Sequence, residues 1–168
     1  MDKRCEVIST AIRAGMSVFD LTRLELCYAP PYSSAKDPVN MAGYVAENIL
    51  SEKVKIYHWH DIENLNPKHV TLLDVRTKDE YLAGSISNTI NIPLDELRSH
   101  LEELDKSKPV YVNCQSGLRS YVACRILSQN GYECYNLSGG YRLYKSIFPS
   151  VQAKPSKVKV NPETMLPI

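Results

Sequence analysis

The spacing of hydrophobic positions changes once along the chain. Residues 2–14 place Val7, Ile8, Ala11 and Ile12 at helical period, and Gly15 is a plausible stop. Met16–Phe19 reads as a short strand or extended link, after which Asp20 is expected to cap a turn or brief helix through Leu21, Leu24 and Leu26. Tyr28–Ser34 contains Pro30 and Pro31, which fix φ and remove donors, and it is predicted to be a polyproline-like connection. Asp37-Pro38 then has the form of an N-cap and first residue of a helix reaching about Leu50. Met41, Val45 and Ile49 lie in line on that helix with Ala42 and Ala46 beside them, a partly small face suited to a second helix in this chain or in another subunit.

From Val54 onward the chain alternates strand and helix. Strands are predicted at about 54–58, 70–75, 89–92, 109–113 and 134–137, with helices near 61–65, 77–83, 94–104, 118–129 and 139–147. Leu94, Leu97, Leu101 and Leu104 mark one apolar face, and Asn130-Gly131 ends the helix before the last strand. This alternation predicts an α/β fold: a five-stranded, mainly parallel sheet with helices on both faces and a ligand site at the carboxyl ends of its strands. The expected organisation is a leading segment over 1–51, the α/β domain over 52–148 and a loosely ordered tail over 149–168, rich in Pro, Lys and Val.

Composition excludes several function classes. With 43% hydrophobic and 23% charged residues the chain has enough apolar material for a core, and its net charge of +1 offers no field for nucleic acid or an anionic membrane. Its apolar runs fall far short of the roughly 18 residues of a membrane span, and Asp2, Lys3 and Arg4 are not followed by a signal-peptide core, so no membrane partner is expected. The five cysteines (Cys5, Cys27, Cys114, Cys124 and Cys134) form no CxxC pair and no zinc spacing, which predicts free thiols, a cytoplasmic setting and no metal site. His58 and His60 flank Trp59 in alternation and face one side, without a ligand cluster beside them.

The chemistry is expected in Cys114-Gln115-Ser116-Gly117-Leu118-Arg119-Ser120, which joins the apolar run 109–113 to the amphipathic run 118–129. Strand, tight loop and helix in that order aim backbone N–H groups and a helix dipole at one spot, and a cysteine there ionises easily. Arg119 can reach an anion bound by the loop or fork onto a carboxylate such as Asp74. Arg76 is expected to pair with Glu80 while Asp74 braces the loop. Ser116 and Ser120 can donate to sulfur or cap the helix, whereas Cys124 and Cys134 read as small buried hydrophobes.

Trp59, Leu73-Asp74-Val75-Arg76 with Glu80-Tyr81, Ile90-Asn91-Ile92-Pro93, the Cys114–Arg119 loop and Asn136-Leu137-Ser138-Gly139-Gly140 stand in an order and spacing in which residues 54–147 resemble a rhodanese domain. The resemblance implies a sulfurtransferase, with Cys114 as nucleophile and persulfide carrier. It implies that Gln115, Ser116, Gly117, Leu118, Arg119 and Ser120 bind the anionic substrate, with Asp74 and Arg76 in support. Small sulfur donors such as thiosulfate or polysulfide and thiol acceptors follow as partners. A catalytically silent rhodanese-like module docked on a flavoprotein is the alternative. Related phosphatases place five residues between cysteine and arginine; here there are four, a smaller cradle matched to sulfur.

Two departures stand out. Where relatives commonly read Gly-His-Ile-x-Gly-Ala, this chain has Gly84-Ser85-Ile86-Ser87-Asn88-Thr89, so Ser85 replaces the histidine. Ser116 stands where thiosulfate-specialised members carry a cation, and the lower charge argues against thiosulfate as preferred donor.

Residues 2–50, through 10–16, 26–32 and 34–43, resemble the end of the dimerisation domain of pyridine nucleotide–disulfide reductases, a partial α+β segment. The likeness is to coenzyme A disulfide reductases with an appended rhodanese domain. It implies a homodimer or a flavoprotein partner through residues 2–50, with Tyr28 and Tyr32 near a partner site. FAD, NAD(P)H and coenzyme A belong to the complete architecture. The sequence has no Gly-x-Gly-x-x-Gly turn, so no cofactor is expected for this chain alone, which reads as a C-terminal fragment or separately encoded remnant.

Overall fold

The computed structural model describes residues 2–27 and 36–149; the polyproline-like stretch with Tyr28 and Tyr32, and the tail, lie outside the described residues. The chain forms two compact units, 1–54 and 55–168. No helix among the described residues is long and apolar enough to cross a membrane.

In the first unit, α1 (Asp2–Arg13) ends at Gly15, whose φ is +69°. Gly15 N–H donates to the Ile12 carbonyl and Met16 N–H to the Ala11 carbonyl, each at 3.0 Å, the paired bonds of a glycine-terminated helix. The link expected at Met16–Phe19 is instead the start of a helix, α2 (Val18–Leu21). Ser17, not Asp20, is its N-cap: Asp20 sits three residues on and its carboxylate accepts from the Ser17 N–H at 2.8 Å, a reciprocal cap that outcompetes an extended link.

The α3 helix (Pro38–Leu50) starts as predicted, with Asp37 Oδ1 accepting from Val39 N–H at 2.9 Å. The face it buries differs from the expected line. Val39, Asn40 and Gly43 are buried, and Gly43 lies so near Leu21 and Thr22 that a Cβ there would be 3.0 Å from each. Met41 and Val45 remain 42% and 55% exposed. Asn40 decides this rotation, because its Nδ2 donates to the Leu21 and Leu24 carbonyls at 2.9 and 3.0 Å.

The second unit carries a five-stranded sheet that is parallel throughout, in the order β1 (Lys55–Tyr57), β5 (Cys134–Leu137), β4 (Val110–Asn113), β2 (Thr71–Asp74), β3 (Ile90–Asn91). Residues 72–73, Val110, Val112 and Leu137 are buried, as continuous apolar runs in a parallel sheet require. Its helices are α4 (Lys78–Leu82), α5 (Leu118–Gln129) and α6 (Gly140–Ile147), with α5 packed on β4 and β5.

Two predicted helices are tighter than expected. A 3₁₀ turn covers Trp59–Asn64, and the stretch expected as helix at 94–104 is two 3₁₀ turns, Leu97–Ser99 and Leu101–Glu103. The Glu96 carbonyl, which an α-helix would give to the His100 N–H, is taken by Ser99 Oγ at 2.8 Å and lies 2.9 Å from His100 Nδ1. The His100 N–H turns back to Leu97. Leu97 and Leu104 are still buried, so the apolar spacing located the core contact while local polar side chains chose the turn.

Candidate active site

β4 is the central strand, and Asp74 on β2 pairs in register with Asn113, the residue before Cys114. The loop that follows turns at Gly117 (φ +113°), a conformation open to glycine, and enters α5. The turn brings Gly117 N–H to 3.1 Å and Ser120 Oγ to 3.2 Å from Cys114 Sγ. Ser120 Oγ also lies 3.2 Å from the Gly117 carbonyl, and its single proton serves sulfur or oxygen, one at a time. Cys114 is 1% exposed and Ser120 fully buried, whereas Leu118 is 66% exposed at the rim.

Burial is the largest influence on the Cys114 thiol and opposes ionisation. The Ser120 hydroxyl, with the backbone N–H groups of Ser120, Gly117 and Ser116, outweighs it, and the pKa is lowered below that of an ordinary cysteine. Because chemistry at this sulfur needs the thiolate, its rate rises with pH through that pKa. Ser120→Ala should move this rise to higher pH and slow alkylation of Cys114 by iodoacetamide at neutral pH about tenfold, the scale of one hydrogen bond to a charged group. An unchanged pH profile would show that the hydroxyl does not support the thiolate.

The two arginines are paired the other way round from expectation. Arg76 is joined to Asp74, through Nε at 3.0 Å and Nη2 at 2.7 Å, and Nη2 also donates to the Gly84 carbonyl at 2.7 Å. Both side chains are buried and the guanidinium lies 4.1 Å from the Tyr141 ring centroid. Arg119 meets Glu80 instead of Asp74, through Nη1 at 2.6 Å and Nη2 at 2.7 Å. Asp74 is a strand end facing inward and takes the nearest buried cation. Glu80 is fixed at the start of α4, where Thr77 caps the helix and donates its N–H to Glu80 Oε2 at 3.1 Å. The Thr77-x-x-Glu80 spacing is a capping box legible in the sequence, and it is the signal that could have placed Glu80.

The loop is also held from behind. Tyr141 N–H donates to the Cys114 carbonyl at 2.8 Å and Arg142 N–H to the Gln115 carbonyl at 3.0 Å. Gly140 has φ +59°, and a Cβ there would sit 2.7 Å from the Cys114 carbonyl oxygen and the Ser116 nitrogen. Asn136 Nδ2 donates to the Gly117 carbonyl at 3.2 Å. Asn136 and Gly140 belong to the Asn136–Gly140 stretch that carries the family resemblance, but its spacing does not disclose that they and the Tyr141 and Arg142 N–H groups back the loop.

Ser116 is exposed at the loop surface, so its hydroxyl and that of Ser120 take different positions. Cys124 and Cys134 are buried as expected; Cys134 Sγ donates to the Cys124 carbonyl at 3.2 Å, and the Cys134 thiol together with burial pushes the Cys124 thiol up. In the stretch that departs from the expected motif, Asn88 takes the glycine position with φ +63°, a conformation asparagine tolerates better than most residues. His58 and His60 stack with centroids 5.4 Å apart, on one side as expected.

Residues 60–147 match the family described as Rhodanese-like domain. The chain belongs to the rhodanese-like family. The reduced CoADR-RHD of Bacillus anthracis superposes with a TM-score of 0.86 at 50% identity, over 90% of this chain and 27% of that one. An NAD-dependent persulfide reductase from A. fulgidus gives a TM-score of 0.72 at 38% identity, over 84% of this chain and 25% of the other. This rhodanese-like chain thus spans about a quarter of the length of these two proteins. The thiosulfate sulfurtransferase GlpE of Coxiella burnetii (strain RSA 331 / Henzerling II) is 31% identical over 100 residues, 59% of this chain and 94% of GlpE. The likeness to these two proteins extends across most of the chain, whereas that to GlpE covers just over half of it. Together these relatives support a sulfurtransferase role for the rhodanese-like unit.

Proposed function

We propose that this chain moves sulfane sulfur through a Cys114 persulfide, as the rhodanese part of a coenzyme A disulfide or persulfide reductase system. The observation that carries the reading is the Cys114 sulfur itself, buried at the carboxyl end of the central strand with Gly117 N–H and Ser120 Oγ at 3.1 and 3.2 Å. The Cys114 thiolate attacks the outer sulfur of a donor R–S–S⁻. A new S–S bond forms, the donor S–S bond breaks, and R–S⁻ leaves with the bonding pair. An acceptor thiolate then attacks the outer sulfur of Cys114–S–S⁻, takes it as a new persulfide and restores the Cys114 thiolate. Gln115 to Ser120 supply the cradle, in which N–H groups preorganised before the substrate arrives stabilise each anionic sulfur. Asp74 and Arg76 support it through Tyr141: the guanidinium lies 4.1 Å from the ring centroid of the residue whose N–H holds the Cys114 carbonyl. Because Cys114 is 1% exposed, the donor presents a slim terminal sulfur rather than a bulky group.

The described residues do not fit a dinucleotide cofactor. At Gly139-Gly140, the one adjacent glycine pair in the sequence, an added Cβ would meet Leu143 and the Cys114–Ser116 backbone, which leaves no open glycine cradle there. No step is derived through flavin or nicotinamide. The exposed Met41 and Val45 side of α3 supports self-association through residues 2–50, a part of the reading that a compact monomer in sedimentation would remove.

The test is peptide mapping after anaerobic incubation with hydropolysulfide or thiosulfate. The peptide containing Cys114 should gain about 32 Da, one sulfur atom. The gain should disappear with a thiol acceptor. A stable adduct on Cys5 or Cys27 with none on Cys114 would overturn the assignment.

A further inference from the structure

The one cation of the Cys114–Ser120 loop is already engaged. Arg119 gives both terminal nitrogens to Glu80, and Glu80 Oε2 also accepts from Thr77 N–H and Oγ at 3.1 and 3.2 Å. The first turn of α4 therefore holds the carboxylate, and the carboxylate holds the guanidinium. The two side chains are 34% and 33% exposed, so the pair stands at the mouth of the site and not in the core. The hydrogen bonds from Arg119 hold Glu80 at a pKa of about 2, and the pair stays ionised and closed across the working pH range. Within the loop itself, an anion is then met by N–H groups, the serine hydroxyls and the α5 dipole, whose equivalent charge is about half a unit.

We propose that Glu80 is a positioning residue that sets donor specificity: by engaging Arg119 it tunes the site toward singly charged persulfide or hydropolysulfide donors and against the thiosulfate dianion. The inference rests on the sulfur-transfer reading above. With R–S–S⁻ the attack of Cys114 releases one R–S⁻. With thiosulfate the same attack breaks the S–S bond and releases sulfite, SO₃²⁻, which leaves with the bonding pair. The extra charge of this donor, present on binding and on leaving, stands beside a cation whose field Glu80 cancels.

Glu80→Gln removes the charge and keeps an oxygen for the Thr77 cap, since glutamine also serves in a capping box. Cyanide is the acceptor and thiocyanate release the readout. In Glu80→Gln, kcat/KM for thiosulfate should rise about tenfold, mainly through a lower KM, while that for hydropolysulfide changes less than about threefold, as expected for one extra unit charge near a half-exposed site. In the double variant Glu80→Gln with Arg119→Gln the donor ratio should return to within about threefold of the wild type. Parallel changes with both donors, or a double variant that keeps the Glu80→Gln ratio, would overturn the inference.

Wild-type protein offers a reading that does not depend on how the variants fold. Sodium sulfate, a dianion of similar shape to thiosulfate, should inhibit hydropolysulfide turnover no more than sodium chloride of equal ionic strength; competitive inhibition by sulfate would count against the proposal. Wild-type protein inactive with every donor would remove the sulfur-transfer reading itself, whereas an active wild type whose donor ratio ignores Glu80→Gln removes this inference alone.

Discussion

Cys114→Ser should lower sulfur transfer by at least about a thousandfold, the order of loss when a covalent nucleophile is removed. Serine is close to cysteine in size, and its Oγ can keep the Gly117 N–H and Ser120 contacts now made by the sulfur at 3.1 and 3.2 Å. The loop therefore retains its shape, and the melting temperature should stay within a few degrees of wild type. What is lost is chemistry: the hydroxyl does not ionise near neutral pH and forms no persulfide. Thiocyanate release with hydropolysulfide as donor measures it. A variant retaining more than about a tenth of wild-type turnover would mean that the sulfur passes through another group.

The second large effect concerns stability. Asp74→Ala should cost about 3–5 kcal/mol, because it leaves the Arg76 guanidinium buried without its counter-charge. Asp74 is fully buried and Arg76 2% exposed, so water cannot replace the four contacts of 2.7–3.1 Å that the carboxylate makes. Such a loss is a large share of the 5–15 kcal/mol by which domains are usually stable. Urea titration of the wild type and variant should show a lower midpoint at an unchanged slope. Asp74→Asn, which keeps one acceptor oxygen and the shape, should fall between them. A variant within about 1 kcal/mol of wild type would show that the pair is not the brace described.

How far the sequence disclosed this site depends on the reach of each interaction. The Cys114 loop was legible because strand, turn and helix are consecutive, so local order alone puts N–H groups around the sulfur. Asp37-Pro38 was legible for the same reason, and Gly15 stopped its helix where the chain pattern placed it. The arginine partners were not. Arg76 and Glu80 sit four positions apart, which suggests helical neighbours, yet Arg76 lies in the bend after β2 and Glu80 at a helix start. The partner of Arg76 is Asp74, two positions back across the bend that follows β2, and that of Glu80 is Arg119, reached only by tertiary placement across 39 positions. At 94–104 the leucine period predicts a helix, but Ser99 and His100 compete for the Glu96 carbonyl and tighten the turn. On α3 the line of Met41 and Val45 was visible and its burial was not, since Asn40 turns that side away from α2.

The clamp of Gly140, Tyr141 and Arg142 on the Cys114 loop also orders events in time. During synthesis Cys114 emerges well before the residues that fix its carbonyl and that of Gln115. A nascent chain halted ahead of Gly139 would carry the cysteine and Ser120 but not the backing that holds the loop closed. Chains emerge at about 5–20 residues per second, so the interval is short, yet it makes competence a property of the finished sheet. Until then Cys114 lacks the backbone contacts from Tyr141 and Arg142 that fix its loop.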